Sequence, residues 1–63
     1  MDEQRAVESH RSTIRDHIDK YKRYSGSEKN TALSTIQNAQ QQIRNIKSRM
    51  PSISSSWEDN WSP

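Results

Sequence analysis

Residues 24–30 read YSGSEKN, and the only glycine of the chain, Gly26, stands in the middle of them. A glycine can adopt the left-handed backbone that closes a helix, and a serine just after it, Ser27, can cap the next helix with Glu28 in the first turn. Apolar residues recur with helical spacing on both sides of this glycine, so the chain has two helices and one break between them. A connection this short makes the second helix return beside the first.

Upstream, Val7, Ile14 and Tyr21 are seven residues apart, His10, His17 and Tyr24 follow each by three, and Ile18 widens the stripe. This is heptad spacing, with the first set at position a and the second at d. Asp2 is placed to cap the helix, Glu3 lies near the positive end of its dipole, and Lys20, Lys22 and Arg23 crowd the negative end. Downstream, Ala32, Leu33, Ile36, Ala39, Ile43, Ile46 and Met50 form a second stripe, which Pro51 terminates.

The expected fold class is therefore all-α: a two-helix antiparallel coiled-coil hairpin over residues 1–50, with helix 3–24, turn 25–27 and helix 28–49. A Pro/Ser-led acidic tail with two tryptophans follows over 51–63. In a hairpin turning at Gly26, facing numbers sum to about 54. Tyr21 then meets Leu33, Ile18 meets Ile36, Ile14 meets Ala39 and Gln40, and Val7 meets Ile46. Apolar positions face apolar positions, which is the consistency a real hairpin requires.

Composition limits how such a hairpin is stabilised. With 63 residues, 27% of them hydrophobic and no cysteine, the chain lacks a large core and has no disulfide or thiolate zinc staple. Completion as a bundle, by self-association or by a protein partner, is the expected remedy. The contact residues would be Val7, Ile14, Ile18, Tyr21, Leu33, Ile36, Ile43, Ile46 and Met50, together with Trp57 and Trp61.

Little in the sequence points to chemistry. His10 and His17 lie two turns apart, about 10.5 Å, too far to share one metal ion, and are read as seam histidines. No glycine-rich phosphate loop, activated nucleophile or carboxylate pair in a cleft is recognisable, so neither catalysis, a cofactor, a metal nor a small-molecule substrate is expected. No apolar run is long enough to span a membrane, and the opening MDEQRAVESH lacks the basic head and apolar stretch of a secretory signal. A cytoplasmic setting is the expectation.

Charge is segregated: residues 25–50 carry four bases and one acid, whereas residues 51–63 carry two acids and no base. Arg5, Arg11, Arg44, Lys47 and Arg49 would gather at the open end of the hairpin, a candidate site for nucleic acid or an anionic surface. Against that reading, Glu8–Arg11, Asp16–Lys20 and Asp19–Arg23 have the spacing of ordinary helix ion pairs, and no aromatics interleave the bases.

The tail, SSSWEDNWSP over 54–63, supports two readings. As a lid, Pro51 returns it to the open end and Ser56 caps a short turn with Asp59. Trp57 and Trp61 then lie on one face over Val7, Ile46, Met50 and Ile53, while Glu58 and Asp59 point elsewhere toward the bases. As a docking peptide, it resembles the tryptophan-and-acid motifs read by vesicle-coat and motor adaptors, with Ser55 and Ser56, each three before an acid, as kinase targets. Residues 27–50 resemble a helix from the N-terminal bundle of a vesicle-fusion protein. A helical hairpin with tryptophan near a turn is similar to small type VII secretion partners, although Asp59 stands where that pattern has glycine.

Overall fold

A computed structural model describes residues 3–63; the expected cap, Asp2, lies outside them. Helix α1 runs Glu3–Arg23, helix α2 runs Ser27–Arg49, and a single 3₁₀ turn spans Trp57–Asn60, with no strand among the described residues. The helix boundaries differ from those expected by one residue at the turn, since Tyr24 only contributes its N–H to the Lys20 carbonyl (2.8 Å) and α2 already begins at Ser27.

Gly26 makes that turn. Its φ of 66° is positive, as expected, but its ψ of −138° places it near the first central position of a type II′ turn rather than in the left-handed helical well. Gly26 itself, not Ser27, is the N-cap of α2, and its carbonyl accepts the Asn30 N–H at 3.3 Å. No side chain caps α2, whereas Glu28 sits in its first turn as the dipole favours.

The helices fold back on each other as a hairpin. Arg49 donates to Glu3 across the open end (3.3 Å), and the Lys29 ammonium lies 4.7 Å from the Tyr21 ring centroid near the turn, two contacts that together require antiparallel packing. The longest dimension is 37 Å, whereas a continuous helix over 3–49 would be about 70 Å long. A rod is thereby excluded.

Val7, Ile14 and Ile18 from α1 and Ile36, Ala39, Ile43 and Ile46 from α2 form one buried cluster. On α1 the buried stripe is Val7, Arg11, Ile14 and Ile18, in steps of four, three and four. His10 and His17, expected in the second seam row, are half-buried on the flank, and Tyr24 is exposed. The buried stripe thus runs through Arg11 rather than through the histidines, and the tail lies on that side. Ile53 and Trp61 from the tail pack onto the cluster together with Ala6 and Tyr21, so a third layer covers the groove between the helices.

A Cβ at Gly26 would meet nothing within 4 Å, so the case for glycine there is purely conformational. Gly26→Ala should destabilise the fold by about 1 kcal/mol, since alanine disfavours positive φ. Urea unfolding that shows Gly26→Ala as stable as the native chain would contradict this account of the turn.

Candidate functional site

The tail is directed by its own backbone before any side chain acts. Met50, ahead of Pro51, has left the helical region (φ −131°, ψ 78°), which a following proline disfavours. The Ile53 N–H then closes on the Met50 carbonyl at 3.1 Å, which reverses the chain and inserts Ile53 against the core. Ser56 is also extended (φ −138°, ψ 163°) and starts the 3₁₀ turn. Its N–H donates to Asp59 Oδ2 at 3.1 Å, while Asp59 returns its own N–H to the Ser56 carbonyl at 3.1 Å. Of the expected Ser56–Asp59 cap, the Asp59 half is present, and the Ser56 hydroxyl turns to Glu58.

This turn brings two carboxylates inward. Glu58 and Asp59 are each only 3% exposed, and Arg11, on the core stripe of α1, is 8% exposed. Arg11 grips Asp59 with two parallel bonds, Nε to Oδ1 at 3.0 Å and Nη2 to Oδ2 at 2.9 Å. It also donates from Nη2 to the Ser54 carbonyl at 2.6 Å and from Nη1 to Glu8 at 3.1 Å. Such a forked pair is stronger and more directional than a single charged contact. Arg15 Nη1 holds Glu58 Oε2 at 2.6 Å, the Ser56 hydroxyl donates to the other Glu58 oxygen, and the Lys47 ammonium lies 3.8 Å from Asp59.

From α2, the Gln40 amide donates to two tail carbonyls, Glu58 at 3.0 Å and Trp61 at 2.8 Å, using both its N–H groups. The ring of Trp61 meets Tyr21 edge-on, with centroids 5.8 Å apart at 80°. No buried side-chain nitrogen or oxygen among the described residues is left without a partner. That completeness matters, because a half-satisfied polar network in a core is worse than an apolar one.

The surroundings hold both acids in the charged form. Burial pushes the Asp59 carboxyl up, but the Arg11 and Ser56 hydrogen bonds and the charges of Arg11 and Lys47 outweigh it, and its pKa falls below the ordinary value. Glu58 behaves alike: burial raises it, and the Ser56 hydroxyl, Arg15 and a backbone N–H bring it down further. The Asp59 hydrogen bond, opposed by burial, raises Arg11.

This arrangement inverts the expected lid. The acids, not both indoles, point into the hairpin; Trp61 is half-buried against Tyr21, while Trp57 is 58% exposed, more than any other large apolar side chain among the described residues. Asp59 has to face inward because its oxygens cap the turn and neutralise Arg11 together, and the short 3₁₀ geometry then turns Trp57 out. Of the expected contact residues, Val7, Ile14, Ile18, Ile36, Ile43 and Ile46 are buried inside the chain itself, Tyr21 and Leu33 are half-buried, and Met50 is at the surface. Of the five expected anion-binding residues, Arg11 and Lys47 face the tail, Arg49 pairs with Glu3, and Arg5 and Arg44 are exposed.

Nothing in the sequence points to Arg15, whereas Gln40 is placed on the helix contact opposite Ile14 without a role being legible. Arg11 did carry a signal: with Val7 and Ile14 it continues the apolar stripe at helical spacing, and an arginine on a buried stripe demands an anion. No family model matches the chain, and no curated protein or solved structure shows significant similarity to it.

Two outcomes follow from the network. Replacing Arg11 with alanine strands Asp59 and should cost about 3–5 kcal/mol, enough to detach the tail, which loss of Trp61 near-ultraviolet dichroism would report. Both carboxylates titrate lower in the folded chain than when unfolded. Their stabilisation is therefore complete above the unfolded values, about 3.9 for Asp and 4.3 for Glu, and is lost as pH falls through the lower folded values. Thermal melts should show stability dropping in this acid window and recovering on return to neutral; a melting temperature constant down to about pH 2 would refute the network.

Proposed function

We propose that this chain is a non-enzymatic helical protein–protein interaction module in which the tail has divided roles: its acids and Trp61 close the hairpin, and Trp57 is the docking element. The observation that carries this reading is the exposure of Trp57 on a turn whose next two residues are anchored by arginine, Asp59 in a buried pair with Arg11 and Glu58 by the half-exposed Arg15. Tryptophan is the residue most enriched at binding hot spots. An indole held on a fixed turn loses little freedom on binding, so more of the contact energy appears as affinity.

The partner is a protein offering an apolar pocket to the indole. Coiled-coil contact or bundle completion through another helix would use surface still open, including Trp57, Tyr24 and Met50, since the isoleucine seam is already covered. The state of the buried acids also favours a non-catalytic role. A general acid is normally raised toward neutral pH, whereas Glu58 and Asp59 are both lowered and paired with arginine.

An anion-binding role is the competing reading. It would rest on Arg5 and on Arg44, which lines a groove of about 370 Å³ with Leu33, Gln37 and Trp61. With Arg11 and Lys47 facing the tail, fewer charges remain to meet phosphates, so the geometry favours the protein partner. Salt separates the two: phosphate binding weakens steeply with ionic strength, and indole docking persists.

Trp57→Ala should leave the melting temperature almost unchanged and abolish recovery of the bound protein in affinity capture. Trp61→Ala, by contrast, should lower stability by about 1–3 kcal/mol through lost burial of an aromatic face. Equal destabilisation by the two variants, or a Trp57→Ala chain that captures the same proteins as the native one, would refute the division of roles.

A further inference from the structure

Ser55 and Ser56 are adjacent, yet their hydroxyls face opposite charges. The Ser55 hydroxyl accepts a hydrogen bond from the Lys47 ammonium on α2. The Ser56 hydroxyl instead donates to the Glu58 carboxylate, which is buried against Arg15, and the Ser56 N–H donates to the Asp59 carboxylate.

We propose that this pair is a phosphorylation site with opposite outputs, in which a phosphate on Ser55 fastens the tail to the hairpin and a phosphate on Ser56 releases it. The inference rests on the docked geometry of the tail and is independent of whether Trp57 binds a protein. A phosphoserine brings about two negative charges and three strong acceptor oxygens at neutral pH. On Ser55 these oxygens meet Lys47 and form charge-assisted bonds. On Ser56 the phosphate removes the proton that Glu58 accepts and sets its charge beside two carboxylates already held away from water. Like charges this close repel, and the phosphate also competes with Glu58 for Arg15.

The local backbone suits such a modification. Residues 54–56 carry no regular secondary structure, Ser55 is exposed, and Ser56 is extended. Glu58 follows Ser55 by three residues and Asp59 follows Ser56 by three, so both hydroxyls precede an acid that a kinase with a basic substrate groove can read. With the tail docked, those acids are buried on Arg15 and Arg11. The kinase therefore competes with the two arginines, and the lifted tail is its substrate. In the transfer, the serine oxygen bonds to the γ-phosphorus of a nucleoside triphosphate, the bond from that phosphorus to the diphosphate oxygen breaks, the hydroxyl proton goes to the kinase base, and the nucleoside diphosphate leaves. Phosphate on Ser56 then prevents the acids from returning to the arginines.

The chain is short enough for chemical synthesis, so the test needs no assumption about which kinase acts. Unmodified, phospho-Ser55, phospho-Ser56 and Ser56→Ala chains would be compared in a Trp57→Phe background, where Trp61 alone reports tail docking by its fluorescence. Phospho-Ser56 should lower the melting temperature by about 5 °C or more and shift Trp61 emission to the red. Ser56→Ala, which loses the hydrogen bond without adding charge, should fall by less. Phospho-Ser55 should melt at or above the unmodified chain, with any gain removed by Lys47→Ala. Phospho-Ser56 melting with the unmodified chain, or phospho-Ser55 falling as far as phospho-Ser56, would overturn the opposed outputs. Incubation with an acid-directed serine kinase and ATP should label Ser55 or Ser56, faster when Arg11→Ala lifts the tail; absence of label on both serines in either chain would overturn the site itself.

Discussion

An arginine on the buried stripe of a helix is the constraint from which the rest of this structure follows. Removing a guanidinium from water without a matching anion costs several kcal/mol, and Arg11 lies between Val7 and Ile14 on the face of α1 that packs inward. Its charge cannot be left unanswered there. Asp59 answers it with a forked pair, Ser54 supplies a carbonyl, and Glu8 takes another N–H. To deliver those groups the tail must reverse at Pro51 and run back over the groove. The position of Trp61, the outward direction of Trp57 and the burial of Glu58 are consequences of that delivery.

The arrangement addresses a shortage of apolar surface. Two amphipathic helices with seven buried aliphatic side chains in their shared cluster make a thin core, and small domains of this kind commonly need a further element to be stable. Here that element is thirteen residues long and largely polar, and it adds only Ile53 and one face of Trp61 to the apolar cluster. What it contributes beyond them is direction. Gln40, Arg11 and Arg15 each make geometrically demanding bonds to the tail, so the tail has one way to lie on the hairpin. A purely apolar strap would bury as much and specify less.

The two layers also differ in how readily they come apart. The hairpin is held by apolar burial and helical hydrogen bonds, the tail chiefly by polar contacts that run from the buried Arg11–Asp59 pair to the exposed Lys47–Ser55 bond. Regions with few buried apolar contacts open at lower free energy than the core, and the tail is such a region. An element that is well defined when docked and held chiefly by ion pairs is suited to control by charge. The opposed surroundings of Ser55 and Ser56 lie at the point where one added phosphate would have most effect.

Much of the fold was determined by the sequence itself. The stripes from Val7 to Tyr21 and from Ala32 to Met50, the single glycine between them and the proline after them specify two helices and a reversal, because periodicity, backbone freedom and a missing N–H act locally. The Ser56–Asp59 cap belongs to the same class. The direction in which the tail faces is set by packing in three dimensions. Burying the tryptophans is the expected choice when surface area alone is counted, but Arg11 is fixed on the core side of α1 by the phase of the helix, and only an anion can accompany it. That pairing joins residues 48 positions apart, a distance over which sequence pattern carries no signal and three-dimensional geometry alone sets the partner.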